Sequence, residues 1–142
     1  MSLNTDEAVL AANQKLLNAI VAGNYQEYQT LCASDITCVE PESGGAVVQG
    51  LNFHKYYFDL GHLQQQQQQL ESSNQNQPKL TNNVTMSCPQ VRWLGETAAV
   101  VTYVRVDQIL KDGVPVTKTS CETRVWEIRN SNLVNVHFHK SS

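Results

Sequence analysis

Residues 97–110 read TAAVVTYVRVDQIL and residues 116–129 read VTKTSCETRVWEIR, with Lys111-Asp112-Gly113-Val114-Pro115 between them. Both runs are rich in β-branched residues and alternate with a period of two. Asp-Gly with a nearby proline is a strong hairpin signal. A third run, Leu133–His139, follows Asn130-Ser131-Asn132. The spacing predicts three antiparallel strands in a row, long enough to twist and curve. Arg105 and Arg124 fall in mid-strand with valines beside them, so each must face either open water or a polar interior.

Residues of one parity share a strand face. Arg105 is therefore placed with Val101 and Tyr103, Arg124 with Glu122 and Trp126, and Lys140 with Val134, Val136 and Phe138. From the pattern alone, solvent-facing arginine is the commoner arrangement. An inward arginine requires carboxylate partners or an anionic ligand. Glu40, Glu42, Asp107 and Glu122 are the acids available.

Upstream of these strands the chain reads as helical. Asn4 or Thr5 caps a helix running to Ala22, with Asp6 and Glu7 at its positive end. Val9, Ala12, Leu16, Leu17, Ile20 and Val21 form its apolar stripe, and Gly23-Asn24 ends it. A short helix over Tyr25–Cys32 and a strand over Ile36–Glu40 follow, the strand stopping at Pro41. Val47–Gln49 is a short strand. Leu51–Leu60 is a third helix rich in aromatics, Phe53, Tyr56, Tyr57 and Phe58, with the run Tyr56, Tyr57, Phe58 read as core and subunit interface. Gln64–Gln69 and the Ser/Asn/Gln stretch to Gln77 read as a loop inserted at about residues 63–79, one that glutamine could draw into the helix for a turn or two. Strands resume at Leu80–Met86 and Val91–Leu94. Helices first and strands after indicate an α+β fold, with helices on one face of an antiparallel sheet.

Length and composition bound the rest. A chain of 142 residues fits one domain. With 41% apolar and 16% charged residues, few charges keep subunits apart. A net charge of −3 argues against nucleic acid or an anionic membrane as partner, and no apolar run has the length of a membrane span. No secretory signal is read at Met1-Ser2-Leu3-Asn4, which predicts a cytoplasmic chain. Cys32, Cys38, Cys88 and Cys121 match no common zinc spacing and read as free thiols, although Cys32 and Cys38 are near enough in sequence to pair. His137 and His139 share a strand face, but no third ligand is suitably spaced. No metal and no cofactor are expected.

Five segments carry a resemblance to a known family: Val39-Glu40-Pro41-Glu42, Phe53-His54-Lys55-Tyr56-Tyr57-Phe58, Thr102-Tyr103-Val104-Arg105, Glu122-Thr123-Arg124-Val125-Trp126 and Asn135-Val136-His137-Phe138-His139. Taken in this order they resemble the association, or hub, domain of calcium/calmodulin-dependent protein kinase II, over residues 4–140. The resemblance implies the nuclear-transport-factor-two-like cone, a curved antiparallel sheet packed on a long N-terminal helix. It implies a homo-oligomer, a dodecamer or larger stacked ring that carries kinase domains on its rim. It implies a cavity lined by Arg105, Arg124, His54, Lys140, Tyr103 and Glu122 that takes carboxylates or acidic peptide segments. Kinase subunits are the further partners, and calmodulin binding belongs to the whole family protein.

The chain departs from that pattern in three ways. No kinase domain, calmodulin-binding helix or linker is read before Asn4. The glutamine-rich insert lengthens a short connection. Lys140 stands where the family's pocket often has arginine, so a bidentate clamp becomes a point charge. The role expected is a non-enzymatic hub. The alternative is a cone-fold isomerase- or dehydratase-like enzyme, or a carboxylate sensor, acting as a dimer, with Glu40, Glu42 or Asp107 as base beside Tyr103. Adjacent cations would hold such an acid's pKa down and weaken it as a base.

Overall fold

The computed structural model describes residues 2–71 and 82–141. Helix α1 (Asp6–Ala22) starts where the Thr5 hydroxyl accepts the Ala8 N–H, and ends where Gly23 turns left-handed at φ +66°. Helix α2 (Tyr25–Leu31) is capped by the Asn24 side chain and runs straight into strand β1 (Cys32–Val39), which is longer than the pattern predicts. After a single 3₁₀ turn at Pro41–Ser43 come β2 (Val48–Gln49) and α3 (Asn52–Glu71). Four strands complete the chain: β3 (Asn83–Trp93), β4 (Ala98–Lys111), β5 (Val114–Arg129) and β6 (Asn132–Ser141). Among the described residues, no helix is long and apolar enough to cross a membrane.

Among the described residues the sheet has six strands in the order β2-β1-β6-β5-β4-β3. Its neighbours are antiparallel except β1 and β6, which run parallel, so the chain's first strand joins its last. Register shifts at Cys32/Thr37, Ser87/Gln90 and Val125/Trp126 bend the strands, as bulges do. The first half of β3 and its second half read as two strands from sequence. They are one, continuous through the shift beside Pro89, with Cys88 at φ +50°.

Helix α1 packs on β3 and α2. Its buried face is Val9, Asn13, Leu16, Leu17 and Ala19. Ala12, Ile20 and Val21, expected in the stripe, are only half-buried. Asn13 takes the central place because its Oδ1 accepts the Trp126 indole N–H at 2.9 Å, which satisfies a buried donor and a buried acceptor at once. The core also takes Tyr28, Ile36, Cys38, Val84, Val101, Trp126 and Phe138. Burying this much apolar surface, at about 25 cal/mol per Å², is what holds helix layer to sheet.

Two further expectations change. The helix read as Leu51–Leu60 continues to Glu71, so Gln64–Gln69 is helical backbone and not loop; glutamine's good helix propensity accounts for it. The remainder of the expected insert, residues 72–79, and Leu80 and Thr81 of the expected strand lie outside the described residues. The hairpin turns are also tighter than read. Asp112-Gly113 joins β4 to β5 with both φ positive, +53° and +76°, while Val114 and Pro115 are already strand. Asn130-Ser131 joins β5 to β6 at φ +50° and +63°. Both are two-residue turns of the mirror-image type that suits strand twist. Serine is strained there, whereas glycine is not. Ser131→Gly is expected to stabilise the fold by about 0.5–1 kcal/mol, read as a higher urea midpoint at fixed protein concentration.

Candidate functional site

The inward faces of β4, β5 and β6 meet in one polar cluster surrounded by core. On β4 the inward residues are Val101, Tyr103 and Arg105, and on β5 they are Glu122, Arg124 and Trp126; all are buried, as parity predicts. Strand β6 departs from the expected parity. The shift beside Val125/Trp126 lets Asn135 and Phe138 both turn inward, so Val134 and Val136 do not share the face of Lys140 and Phe138. Asn135 holds that irregularity in place by donating to the carbonyls of Val125 (2.8 Å) and His137 (3.0 Å).

Arg124 is the centre. Its Nε donates to Glu122 Oε1 and to the Tyr103 hydroxyl, both at 3.1 Å, and its Nη1 donates to Asn135 Oδ1 at 2.9 Å. The guanidinium carbon lies 4.3 Å from the centre of the Phe138 ring, a cation–π contact. Tyr103 donates to the same Glu122 oxygen. Arg105 reaches Glu122 Oε2 at 3.3 Å through Nη1 and Asp107 at 3.0 Å through Nε. Glu122 thus receives two guanidinium groups and a phenol.

The titration properties follow from those contacts. Burial pushes the Glu122 carboxyl up, but Arg124 first, then Arg105 and the Tyr103 hydroxyl, outweigh it and hold the group below the ordinary carboxylate range. Burial pulls Arg124 towards losing its proton, and Glu122 reverses this, so the guanidinium is bound more firmly in its charged form. Tyr103 is pushed up to about 12, chiefly by burial and also by Glu122, so its hydroxyl stays a donor.

His54 belongs to an adjoining cluster. It sits in the first turns of α3, and its ring lies 5.4 Å from that of Phe138, the ring that Arg124 covers on its other contact. Its Nε2 is 3.3 Å from Glu40 Oε1 and 3.4 Å from Cys38 Sγ. Lys140 lies opposite Glu122 in the β5–β6 register but does not join the Arg124 network. Its side chain is 23% exposed and pairs with Glu42 at 3.6 Å.

Every acid named from sequence has therefore found a cation or His54. The cluster sets Arg105, Arg124 and Lys140 against Glu40, Glu42, Asp107 and Glu122, with His54 beside Glu40. Three fixed positive charges face four carboxylates, so the acids outnumber the fixed cations by one and the wall is not the positively lined one expected. The exposed end of the cluster is Asp107, Glu42 and Lys140, whereas the Arg124–Glu122 pair is sealed. A shallow cleft bordered by Leu3, Asn4, Glu96, Thr97, Ile128 and Ser131 shares no residue with it. His137, offered as half of a metal pair, instead places Nδ1 2.7 Å from the Thr37 hydroxyl. All four cysteines are free, Cys32 and Cys38 buried and Cys88 and Cys121 exposed.

Sequence reasoning missed Asn13, Asn135 and Cys38. Asn135 carried a signal, a lone amide between valines in a strand, where an unpaired polar side chain would be costly. Cys38 carried none, because its neighbour His54 arrives from another element.

Comparison with known proteins identifies the family and the fold. Residues 5–142 match the family described as the calcium/calmodulin dependent protein kinase II association domain. The type II alpha chain of Drosophila melanogaster is 36% identical over 139 residues, covering 96% of this chain and 23% of that protein. The chain thus spans about a quarter of the length of such relatives, in the association domain and not the kinase catalytic domain. The hub homology domain from Chlamydomonas reinhardtii superposes with a TM-score of 0.79 at 44% identity over 94% of each chain. The association domain of the Caenorhabditis elegans kinase gives 0.79 at 33% identity, covering 96% of this chain and 94% of that one. At the level of fold alone, a nuclear-transport-factor-two-like protein of Cytophaga hutchinsonii, 17% identical, superposes with a TM-score of 0.71 over 98% of each chain. With its sheet, its N-terminal helix and the match over nearly its whole length, the chain belongs to the calcium/calmodulin dependent protein kinase II association domain family.

Proposed function

We propose that this chain is a non-enzymatic self-association hub, in which copies pair and close into two stacked rings, a dodecamer or larger. The observation that carries the reading is the outer face of α3. Tyr56 is 61% exposed, Leu60 38% and Leu63 58%, at positions i, i+4 and i+7, with Tyr57 beside them at 40%. These lie on one side of a helix, and an apolar patch of this kind marks an interaction surface. Phe58, by contrast, turns inward onto Tyr25 and Tyr28. With 16% charged residues, little repulsion opposes a second copy. A closed ring uses one such heterologous contact repeatedly until it meets itself. In the cytoplasm, kinase subunits held on such a ring gain a high effective concentration for one another. Sedimentation velocity at micromolar concentration tests the assembly: a particle far heavier than a dimer is expected, and only monomer or dimer would contradict it.

We further propose that the exposed end of the polar cluster takes a small carboxylate or an acidic peptide segment. The ligand exchanges with Asp107 at Arg105 and with Glu42 at Lys140. Arg124, Tyr103 and Glu122 form the floor that fixes Arg105. The pairing speaks against an enzyme of the isomerase kind, because each carboxylate that could serve as a base already faces a cation or His54. Lysine offers one compact charge where arginine offers two parallel donors. Lys140→Arg is therefore expected to tighten succinate binding by about tenfold, or roughly 1.4 kcal/mol. Calorimetry of both variants at fixed salt checks it, and equal affinities would place Lys140 outside the site.

A further inference from the structure

Cys38 lies near the end of β1, Glu40 follows that strand, and His54 stands in the first turns of α3. These three donors come from two parts of the chain and converge in the interior, all three residues being buried. Their donor atoms lie within 4.8 Å of one another. His54 Nε2 is 3.4 Å from Cys38 Sγ and 3.3 Å from Glu40 Oε1, and Sγ and Oε1 are 4.0 Å apart. A tetrahedral zinc ion, with bonds of about 2.3 Å to sulfur and about 2.1 Å to nitrogen or oxygen, separates its nitrogen and oxygen ligands by about 3.4 Å and sulfur from either by about 3.6 Å. Two of the three observed separations match that geometry closely. The third is met by a wider S–Zn–O angle or by closing about 0.4 Å.

We propose that Cys38, Glu40 and His54 form a site for a borderline-soft divalent cation, zinc by the chemistry of the donors, with the fourth coordination position left to water or an external ligand. A thiolate and an imidazole select zinc over magnesium or calcium, and the carboxylate is compatible with it. As the Zn–S bond forms, the thiol proton leaves to solvent; thiolate and carboxylate then balance the two positive charges. Arg124 offers little opposition, since its charge is answered by Glu122. Among the described residues, His54 Nδ1 is buried without a hydrogen-bond partner. A zinc-bound histidine usually donates its second N–H, so affinity of about micromolar order is expected, below that of fully supported sites.

Titration of the reduced, intact protein with cobalt(II) chloride tests the site. One cobalt per chain is expected, with a thiolate-to-cobalt charge-transfer band in the near ultraviolet and visible bands of tetrahedral intensity, all bleached by zinc chloride. Cys38→Ala should remove the charge-transfer band and weaken zinc binding about a hundredfold. Glu40→Gln should keep the band and weaken binding by less. Cys88→Ser with Cys121→Ser should change neither. Absence of the band from the unmutated protein, its persistence in Cys38→Ala, or its loss with the exposed cysteines would overturn the proposal. Because the spectrum of the unmutated protein already reports sulfur ligation, a poorly folding variant does not leave the question open.

Discussion

Replacing Glu122 with leucine is expected to lower stability by about 3–5 kcal/mol, the range for breaking a buried ion pair from one side. Glu122 receives Arg124 at 3.1 Å, Arg105 at 3.3 Å and the Tyr103 hydroxyl, and its side chain has no exposure. Leucine would leave Arg124, itself fully buried, with only Asn135, Tyr103 and the Phe138 ring. Removing both charges is milder. Glu122→Leu with Arg124→Met should lose less than Glu122→Leu alone, because Arg105 retains Asp107. The pair also predicts a pH dependence. Glu122 has its carboxyl lowered in the native state from an ordinary 4.5. The unfolded chain therefore takes up the proton first as pH falls, and stability rises with pH in that window. The contribution is complete above the ordinary value and is lost as pH drops through the lower native one. The gap in urea midpoint between the unmutated protein and Glu122→Gln should accordingly narrow below pH 4.5. A gap that is constant or widens in acid would show that the charge of Glu122 does not hold the cluster together.

Placing Glu at both Tyr56 and Leu60 is expected to dissolve the assembly while leaving the folded unit intact. Both side chains are exposed in the single chain, 61% and 38%, so each change should cost the fold no more than about 0.5 kcal/mol. In an interface, by contrast, a buried aromatic or aliphatic anchor contributes about 2–4 kcal/mol, and a buried unpaired carboxylate costs more. A ring repeats the contact at each subunit, so the loss multiplies around it. Sedimentation should show a dimer or monomer, and circular dichroism an unchanged fold. An undiminished particle would move the interface elsewhere, to a surface such as the outer sheet face with Val104 and Cys121.

Much of this was legible in the chain. Alternation placed Val101, Tyr103 and Arg105 together, and Glu122, Arg124 and Trp126 together, because strand parity is a property of the backbone alone. The caps at Thr5 and Gly23 were legible for the same local reason. What failed was non-local. One register shift between β5 and β6 brought Asn135 into the cluster, and no single-strand pattern encodes a bulge that depends on its partner. Asn13 entered the stripe of α1 because Trp126, far along the chain, needed an acceptor. The acids pair with the cations, yet the matching, in which Glu122 is shared by two arginines and Arg105 by two acids, is set by distances only the fold supplies. Cys38 and His54 meet for the same reason, across β1 and α3.

Native mass spectrometry tests the central claim most directly. One chain weighs 15.9 kDa. Closure of paired subunits into two stacked rings predicts a dominant species at a whole, even multiple of that mass, twelvefold or more, without a ladder of intermediate sizes. A spectrum dominated by 15.9 kDa, or by twice that mass, would contradict the hub.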